Sequence, residues 1–455
     1  MEGRGLRSDV LSEDTSSVLR DGEMMGTKLE RIAEISAQTA RPNFTSLYHL
    51  IDADLLLRCH RELDGKKAVG IDEVTKEEYG EHLESNIADL VTRLKNKSYK
   101  PLPTRRVFIP KPNGKLRPLG IVSYEDKIVQ LALKKVLEAV YEPRFLNCMY
   151  GFRPRRGCHE AIKDVYQHLA KGKINYIVDA DIKGFFDHID HEWMMKFLKW
   201  HIKDPNILWL VKKYLKAGVM VDGVYEDTVE GTIQGGNISP TLANIYMHNV
   251  LTLWFVLKIR KEMRGECFLI NYADDFVAGF QYKEDAEKYY AALKERMAYF
   301  NLELEESKSR LIEFGKYAVQ NRKARGEGKP ETFDFLGFTF YIGKTRNGFP
   351  WPKLKTSRKK FEKSLKNFKE WLYSNKENSA KWIVTNLNQK LVGYYRYYGV
   401  TFNSFKLSAF LHRVQQFLHK AMNRRGCRRT YTWEGFIDML KFYPLAKPKI
   451  YYALY

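Results

Sequence analysis

Two carboxylate pairs, about ninety residues apart, are the residues in this chain best suited to chemistry. Asp274 and Asp275 interrupt two apolar, β-prone runs, Phe268-Leu269-Ile270-Asn271 and Phe276-Val277-Ala278-Gly279-Phe280. Asp179 and Asp181 end the apolar run Tyr176-Ile177-Val178 and precede the aromatic pair Phe185-Phe186. Neighbouring carboxylates repel, and folded proteins keep them together mainly where a hard divalent cation neutralises them. Two strands that each bring an acid to one sheet edge can hold two Mg²⁺ ions roughly 3.5–4 Å apart, clamping the attacking and leaving oxygens of a phosphoryl transfer. A lone Asp-Asp turn is usually just solvated, but a second acid-bearing strand makes nucleotidyl transfer the chemistry to expect.

The elements that must position these acids are legible around them. Tyr272-Ala273-Asp274-Asp275 reads as a four-residue break in a β-hairpin, with the acids at its tip. Arg105 to Ile121 contains a Pro-Asn-Gly break between short apolar runs, a hairpin whose arms carry Lys111 and Arg117. Cations on such a ribbon can lie along a triphosphate, the guanidinium bidentately. Tyr150 to His159 is a Gly- and Pro-punctuated basic loop with Arg153, Arg155 and Arg156, suited to a phosphate backbone, and leads into a helix starting near Glu160. His159 reads as a surface or capping histidine, and Asp190 as a helix cap before Glu192. Asp222-Gly223 marks a tight hairpin. Gln234-Gly235-Gly236 offers an amide and bare backbone, and Ser239-Pro240 has the form of an N-cap opening an apolar helix over Leu242 to Leu257. Periodicity predicts helices over Arg41 to Leu63, on to Lys95, over Asp126 to Tyr141 and Lys283 to Tyr299, and from Lys353 onward. Leu302 to Lys308 alternates like a strand, and Gln320 to Thr332 looks like a mobile surface insertion.

The Tyr-Ala-Asp-Asp box, the Asp181-to-Phe186 box, Thr232 to Pro240 and Phe335-Leu336-Gly337-Phe338 occur in the order and spacing of reverse transcriptases. With Tyr150-Gly151-Phe152-Arg153-Pro154 and Ile109-Pro110-Lys111-Pro112, the chain resembles the bacterial group II intron-encoded reverse transcriptase/maturase from about residue 45 to its C-terminus. The resemblance implies an α+β right-hand polymerase, with fingers and palm built from an antiparallel sheet plus helices and a basic helical thumb. Its implied divisions are a flexible leader over residues 1–40, a helical N-terminal extension over 41–100, fingers and palm over 101–340, and a thumb or X maturase domain over 341–455. It selects Asp181 over Asp179 as the acid, because the aromatic gate, Phe186, lies five residues beyond. Asp181, Asp274 and Asp275 become the catalytic metal ligands, joined by the backbone carbonyl of Ile182, with Mg²⁺ as cofactor and Mn²⁺ able to substitute. Lys111, Arg117, Phe186, Gln234 and Lys308 become dNTP contacts, and Phe335, Leu336 and Gly337 the primer grip. A bulky ring under the sugar leaves no room for a 2′-hydroxyl, so Phe186 is expected to enforce dNTP use. Ile233 and Asn237-Ile238 depart from the family pattern, which is expected to alter loop shape rather than chemistry.

The 455 residues, 44% hydrophobic, fit a protein of two or three domains with a net charge of +21, which points to an anionic polymer. Tyr341 to Tyr455 holds 24 Lys and Arg against 5 Asp and Glu, so +19 of that charge lies in the terminal module. There, lysines interleave with aromatics at helical spacing, predicting an aromatic core and a basic face that tracks phosphates. The five cysteines form no C-x-x-C pair, which argues against a zinc ribbon or a disulfide framework. Apolar runs such as Val250 to Leu257 fall short of the roughly 20 residues of a membrane helix. Met1 to Asp21 lacks the apolar core of a signal peptide. The implied partners are intron RNA, an RNA template, a DNA or RNA primer and dNTPs, with no membrane and with homodimerisation left open, in the nucleoid-associated bacterial cytoplasm. No segment matches the family's Cys-pair, His-rich endonuclease domain. Two other readings fit the same residues: a domesticated relative serving phage defence, repair or CRISPR adaptation, and a non-enzymatic RNA-binding splicing factor. The presence of all three acids weighs against the second.

Overall fold

A computed structural model describes residues 28–110, 116–221, 224–226, 230–232, 235–423 and 431–455. The α+β chain divides into two compact units, each assembled from separated stretches. One unit comprises Met1–Arg155, Ile182–Lys261 and Ala292–Glu305; the other comprises Arg156–Asp181, Glu262–Ala291 and Glu306–Tyr455.

In the first unit, strands β1 (Thr104–Pro110), β2 (Leu116–Ile121), β4 (Val219–Val221) and β5 (Val224–Glu226) form a sheet in the order β2-β1-β4-β5. β1 and β2 pair antiparallel from Arg105↔Ile121 to Pro110↔Leu116, the hairpin that the apolar runs predict. Helix Tyr124–Tyr141 packs Ile128, Val129, Leu133, Val136 and Val140 into the core. Its first turn holds buried Asp126, which accepts from Tyr99 Oη, Ser123 Oγ and Leu102 N, tying the segment that enters β1 to the helix. Helix Ser239–Glu262, 24 residues, is longer than the apolar run suggests. It is long and apolar enough to cross a membrane, but 78% of its apolar window is buried within the protein, as in a core helix. Ile238, not Ser239, holds its cap position; Ser239 already lies in the first turn.

Within the second unit, β3 (Tyr176–Asp181), β6 (Cys267–Tyr272), β7 (Asp275–Phe280) and β8 (Arg310–Glu313) form an antiparallel sheet in the order β6-β7-β3-β8. A second sheet joins β9 (Phe333–Phe335), β10 (Phe338–Lys344) and β11 (Pro350–Thr356). Helices Arg358–Ser374, Ala380–Tyr398 and Ser404–Met422 then pack around Leu365, Leu391, Leu407, Phe410 and Leu418, with the Tyr394 ring stacked on Phe410 at 3.7 Å. Lys359, Lys360, Lys363, Lys366 and Lys369 stay exposed on the first of these helices, opposite its apolar stripe.

Several expectations are corrected. Residues 28–38 of the leader are helical and fastened: Ser36 Oγ donates to Val140 O, and Arg144 to the carbonyls of Ser36, Thr39 and Ala40. Between Arg41 and Leu63 only Tyr48–Leu50 and Ala53–Glu62 are helical, the latter capped by Asp52. Over Leu302 to Lys308 only Leu304 makes a bridge, to Ile182, and the strand forms at Arg310–Glu313, where β3 supplies a partner. Gln320 to Thr332 overlaps a helix, Ala318–Ala324, and Arg325 pairs with Glu313 and Glu327. Lys353 lies in β11.

Candidate active site

The β6–β7 hairpin closes at the pair Tyr272↔Asp275, so the loop is two residues, Ala273 and Asp274, rather than four. Ala273 adopts φ 58°, a left-handed conformation tolerable for a small side chain. Buried Asn271 braces the loop, its Nδ2 donating to Ala273 O at 2.7 Å. β3 pairs with the other edge of β7, and its last residue, Asp181, stands opposite Asp275. Residues paired in this way across antiparallel strands have Cβ atoms roughly 4.5–5.5 Å apart. Two acids ninety residues apart are therefore cross-strand neighbours, and Asp274 directly precedes one of them.

The surroundings explain why like charges persist there. Burial pushes the Asp275 carboxyl up to about 7, reinforced by Asp179, Asp274 and Asp181 and opposed by the Leu336 N–H that it accepts. Burial also raises Asp179 to about 6, against the pull of Arg310, its register partner on β8, whose Nε lies 3.7 Å away. Asp181 is met by Lys308 Nζ at Oδ2, and its own N–H donates to Ser309 Oγ at 3.3 Å. Each of the two acids of β3 thus has a cation beside it and both act on Asp275, but in the ladder Asp179 stands opposite Arg310 and Asp181 opposite Asp275. Among the described residues no three His, Cys, Asp or Glu side chains gather as a ready-made metal cage. Mg²⁺ does not require one, since it is commonly held by one or two carboxylates plus substrate phosphates and water. The donor set, hard carboxylate oxygens crowded at two strand ends, fits such an ion.

The turn Leu336-Gly337, between β9 and β10, reaches the acids through the Leu336 N–H, so the segment read as a primer grip is brought to the site, with Phe335 ending β9. Phe186, Arg117 and Ile182 belong to the first unit. There Phe186 O accepts from Thr232 N at 2.7 Å, and its ring meets Phe185 edge-on at 5.4 Å. Gly231, at φ 86°, has space for no Cβ, which would lie 2.7 Å from Asp187 O; a Cβ on Gly235 would lie 2.6 Å from Gly120 O in β2. The glycine loop thus brings the Phe186 turn and the Arg117-bearing hairpin together by close backbone approach. Arg117 is exposed on β2 opposite Ile109. Ile182 is buried, directly after Asp181 in the chain, and Lys111 and Gln234 lie outside the described residues.

Arg153 is a correction. It is buried, with Nε 2.9 Å from Glu142 Oε1 and Nη1 donating to the carbonyls of Leu146 and Met149, so its fork folds the loop and is not offered to RNA. Arg155 is exposed and Arg156 half-buried. Sequence reasoning missed Asn271, Ser309 and the Asp179–Arg310 pair, since nothing in a linear pattern reveals which residue faces which across a ladder.

A family model described as reverse transcriptase (RNA-dependent DNA polymerase) matches residues 109–340, just over half of the chain. The chain belongs to the reverse transcriptase family. It is 37% identical over 240 residues to group II intron-encoded protein LtrA of Lactococcus lactis subsp. cremoris, covering 52% of this chain and 39% of that protein. Protein YkfC of Escherichia coli strain K12 is 38% identical over 187 residues, 40% of this chain and 49% of that one. An uncharacterized 91 kDa protein in the cob intron of Schizosaccharomyces pombe is 38% identical over 179 residues, 39% of this chain and 22% of its own length. The chain therefore spans less than half the length of these curated relatives.

Proposed function

We propose that the chain is an RNA-directed DNA polymerase that extends a DNA or RNA primer on an RNA template with dNTPs, and that it binds intron RNA as a maturase. The observation that carries the reading is the Asp181↔Asp275 cross-strand pair with Asp274 beside it. Asp181, Asp274, Asp275 and the Ile182 carbonyl would hold Mg²⁺, which when bound neutralises charge on the attacking and leaving oxygens of nucleotidyl transfer. Asn271 and the Leu336 N–H fix the hairpin tip and the Asp275 carboxyl, so the acids need no reorganisation when substrate arrives. Lys308, already at Asp181, supplies a mobile cation for developing phosphate charge. Lys111, Arg117 and Gln234 are assigned to the incoming nucleotide, Phe186 to exclusion of its 2′-hydroxyl, and Phe335, Leu336 and Gly337 to the primer end. In this reading the units supply fingers, palm and thumb, the last being the basic helices from Arg358. The family membership and the intron-encoded relative support the maturase role.

Primer extension on an RNA template tests the reading. The Asp274→Asn, Asp275→Asn double variant is expected to lose about a thousandfold or more in rate, since metal stabilisation is worth several kcal/mol and each 1.4 kcal/mol is tenfold. Undiminished synthesis overturns the assignment of the acids.

A further inference from the structure

The turn that contacts Asp275 is itself under tension. Leu336, not a glycine, holds φ 47°, in the left-handed region that ordinary side chains rarely adopt. Gly337 follows at φ 82°. Such a pair keeps its shape only where its surroundings fix it. The Leu336 carbonyl is fixed by Tyr397, whose Oη donates to it at 2.9 Å. Tyr397 lies on helix Ala380–Tyr398, more than a hundred residues after the acid pair, and its ring stacks near-parallel (17°) on Phe338 at 6.0 Å, on the other side of the turn.

His159 also holds Tyr397 in place. The Tyr397 carbonyl meets His159 Nε2 at 2.8 Å, and the His159 ring stacks on Tyr452 at 3.7 Å. The Tyr397 hydroxyl therefore reaches the acid hairpin through the Leu336 backbone, whose N–H meets the Asp275 carboxyl.

We propose that Tyr397 is a positioning residue for the acid site, its hydroxyl holding the Leu336-Gly337 turn so that the Leu336 N–H stays aimed at Asp275. The proposal rests on the polymerase reading for its purpose but not for its geometry. It makes the helical module a structural part of metal binding as well as a surface for nucleic acid.

The test is Tyr397→Phe in the full chain, which deletes the hydroxyl and keeps the ring on Phe338. Mn²⁺ binding without nucleotide, followed by the electron paramagnetic resonance of free Mn²⁺, is expected to weaken about fivefold, the scale of one lost hydrogen bond. In primer extension the Mg²⁺ concentration for half-maximal rate should rise comparably, with the dNTP KM at saturating Mg²⁺ little changed. Leu336→Gly in the Tyr397→Phe background should restore Mn²⁺ affinity, because glycine holds the left-handed turn without help. A merely structural hydroxyl would not show that rescue, and a loss of Mn²⁺ affinity that Leu336→Gly leaves uncorrected overturns the route through the turn. Parental Mn²⁺ affinity in Tyr397→Phe also overturns the proposal while leaving the polymerase reading intact. A parent chain that binds Mn²⁺ but never extends a primer removes the polymerase reading instead.

Discussion

Burial acts in opposite senses on two single residues, Asp275 and His248. At Asp275 it favours the protonated acid, a state that a bound cation reverses. At His248 it favours the neutral ring and depresses the pKa to about 3, with Arg144, Arg153 and His201 adding to the effect. The unfolded chain takes up a proton at this histidine below about pH 6.5, where the folded chain does not, so folding stability falls as pH falls through that value. The slope approaches 1.4 kcal/mol per pH unit, or about 2 kcal/mol between pH 6.5 and 5. His248→Gln should narrow the difference in urea unfolding free energy between pH 7.5 and 5 by that amount, and an unchanged pH dependence would contradict the assignment. Phe186 poses a different question, because its role is exclusion. Shortening it in Phe186→Ala should raise ribonucleotide incorporation relative to dNTP about tenfold or more, judged against the 1–3 kcal/mol that a steric pocket typically contributes. Sugar selectivity unchanged in competitive extension assays would remove Phe186 as the gate.

At the scale of elements, the loop Tyr150 to Gly157 shows how a residue type can mislead. Its arginines read as a phosphate-binding run, yet Arg153 needs the planar fork to reach Glu142 and two carbonyls at once. Arg153→Lys keeps the charge and loses the fork, so unfolding free energy should drop by about 2 kcal/mol while the salt dependence of RNA binding stays as it was. Parental stability in Arg153→Lys would overturn this structural role for the fork. The same contrast explains what was legible elsewhere. β3, β6 and β7 could be read because each is a short apolar run bounded by acids or polar residues, and Lys283–Tyr299 because its apolar residues repeat at helical spacing. Leu302 to Lys308 alternates equally well, but a strand needs a partner, and the free edge of β3 is taken two residues later, from Arg310. In the segment after Tyr341, Asn347-Gly348 marked a hairpin turn that the lysine periodicity obscured, and Gly348 sits there at φ 83°. Asp179 and Asp181 lie two apart on one face of β3, and the ladder sets Arg310 opposite one and Asp275 opposite the other.

For the whole molecule, linear bookkeeping of charge and of boundaries breaks down for the same reason. The compact units each gather three stretches, because strands distant in sequence pair with each other. Charge summed along the chain leaves the first 340 residues nearly neutral, yet folding sorts it into faces. In the first unit, helices His191–Leu198 and Pro205–Leu215 flank two adjoining cavities of about 400 and 390 Å³, which share Lys212 and Lys216. Lys100, Lys196, Lys199 and Lys213 also line them, with Glu192 as the one carboxylate among the lining residues. Trp209 and Tyr225 line the first cavity, which gives the cationic wall aromatic surface as well. Nucleic-acid affinity should therefore depend on both units and not only on the +19 terminal module. Each lysine that neutralises a phosphate of single-stranded RNA contributes about 0.7 to the slope of log affinity against log salt. Replacing Lys196, Lys199, Lys212 and Lys216 with Gln should lower that slope by about 3 if all four meet phosphates, with dNTP KM and melting temperature near parental. A slope that does not move would confine the electrostatic footprint to the terminal helices, as the charge count along the chain implies.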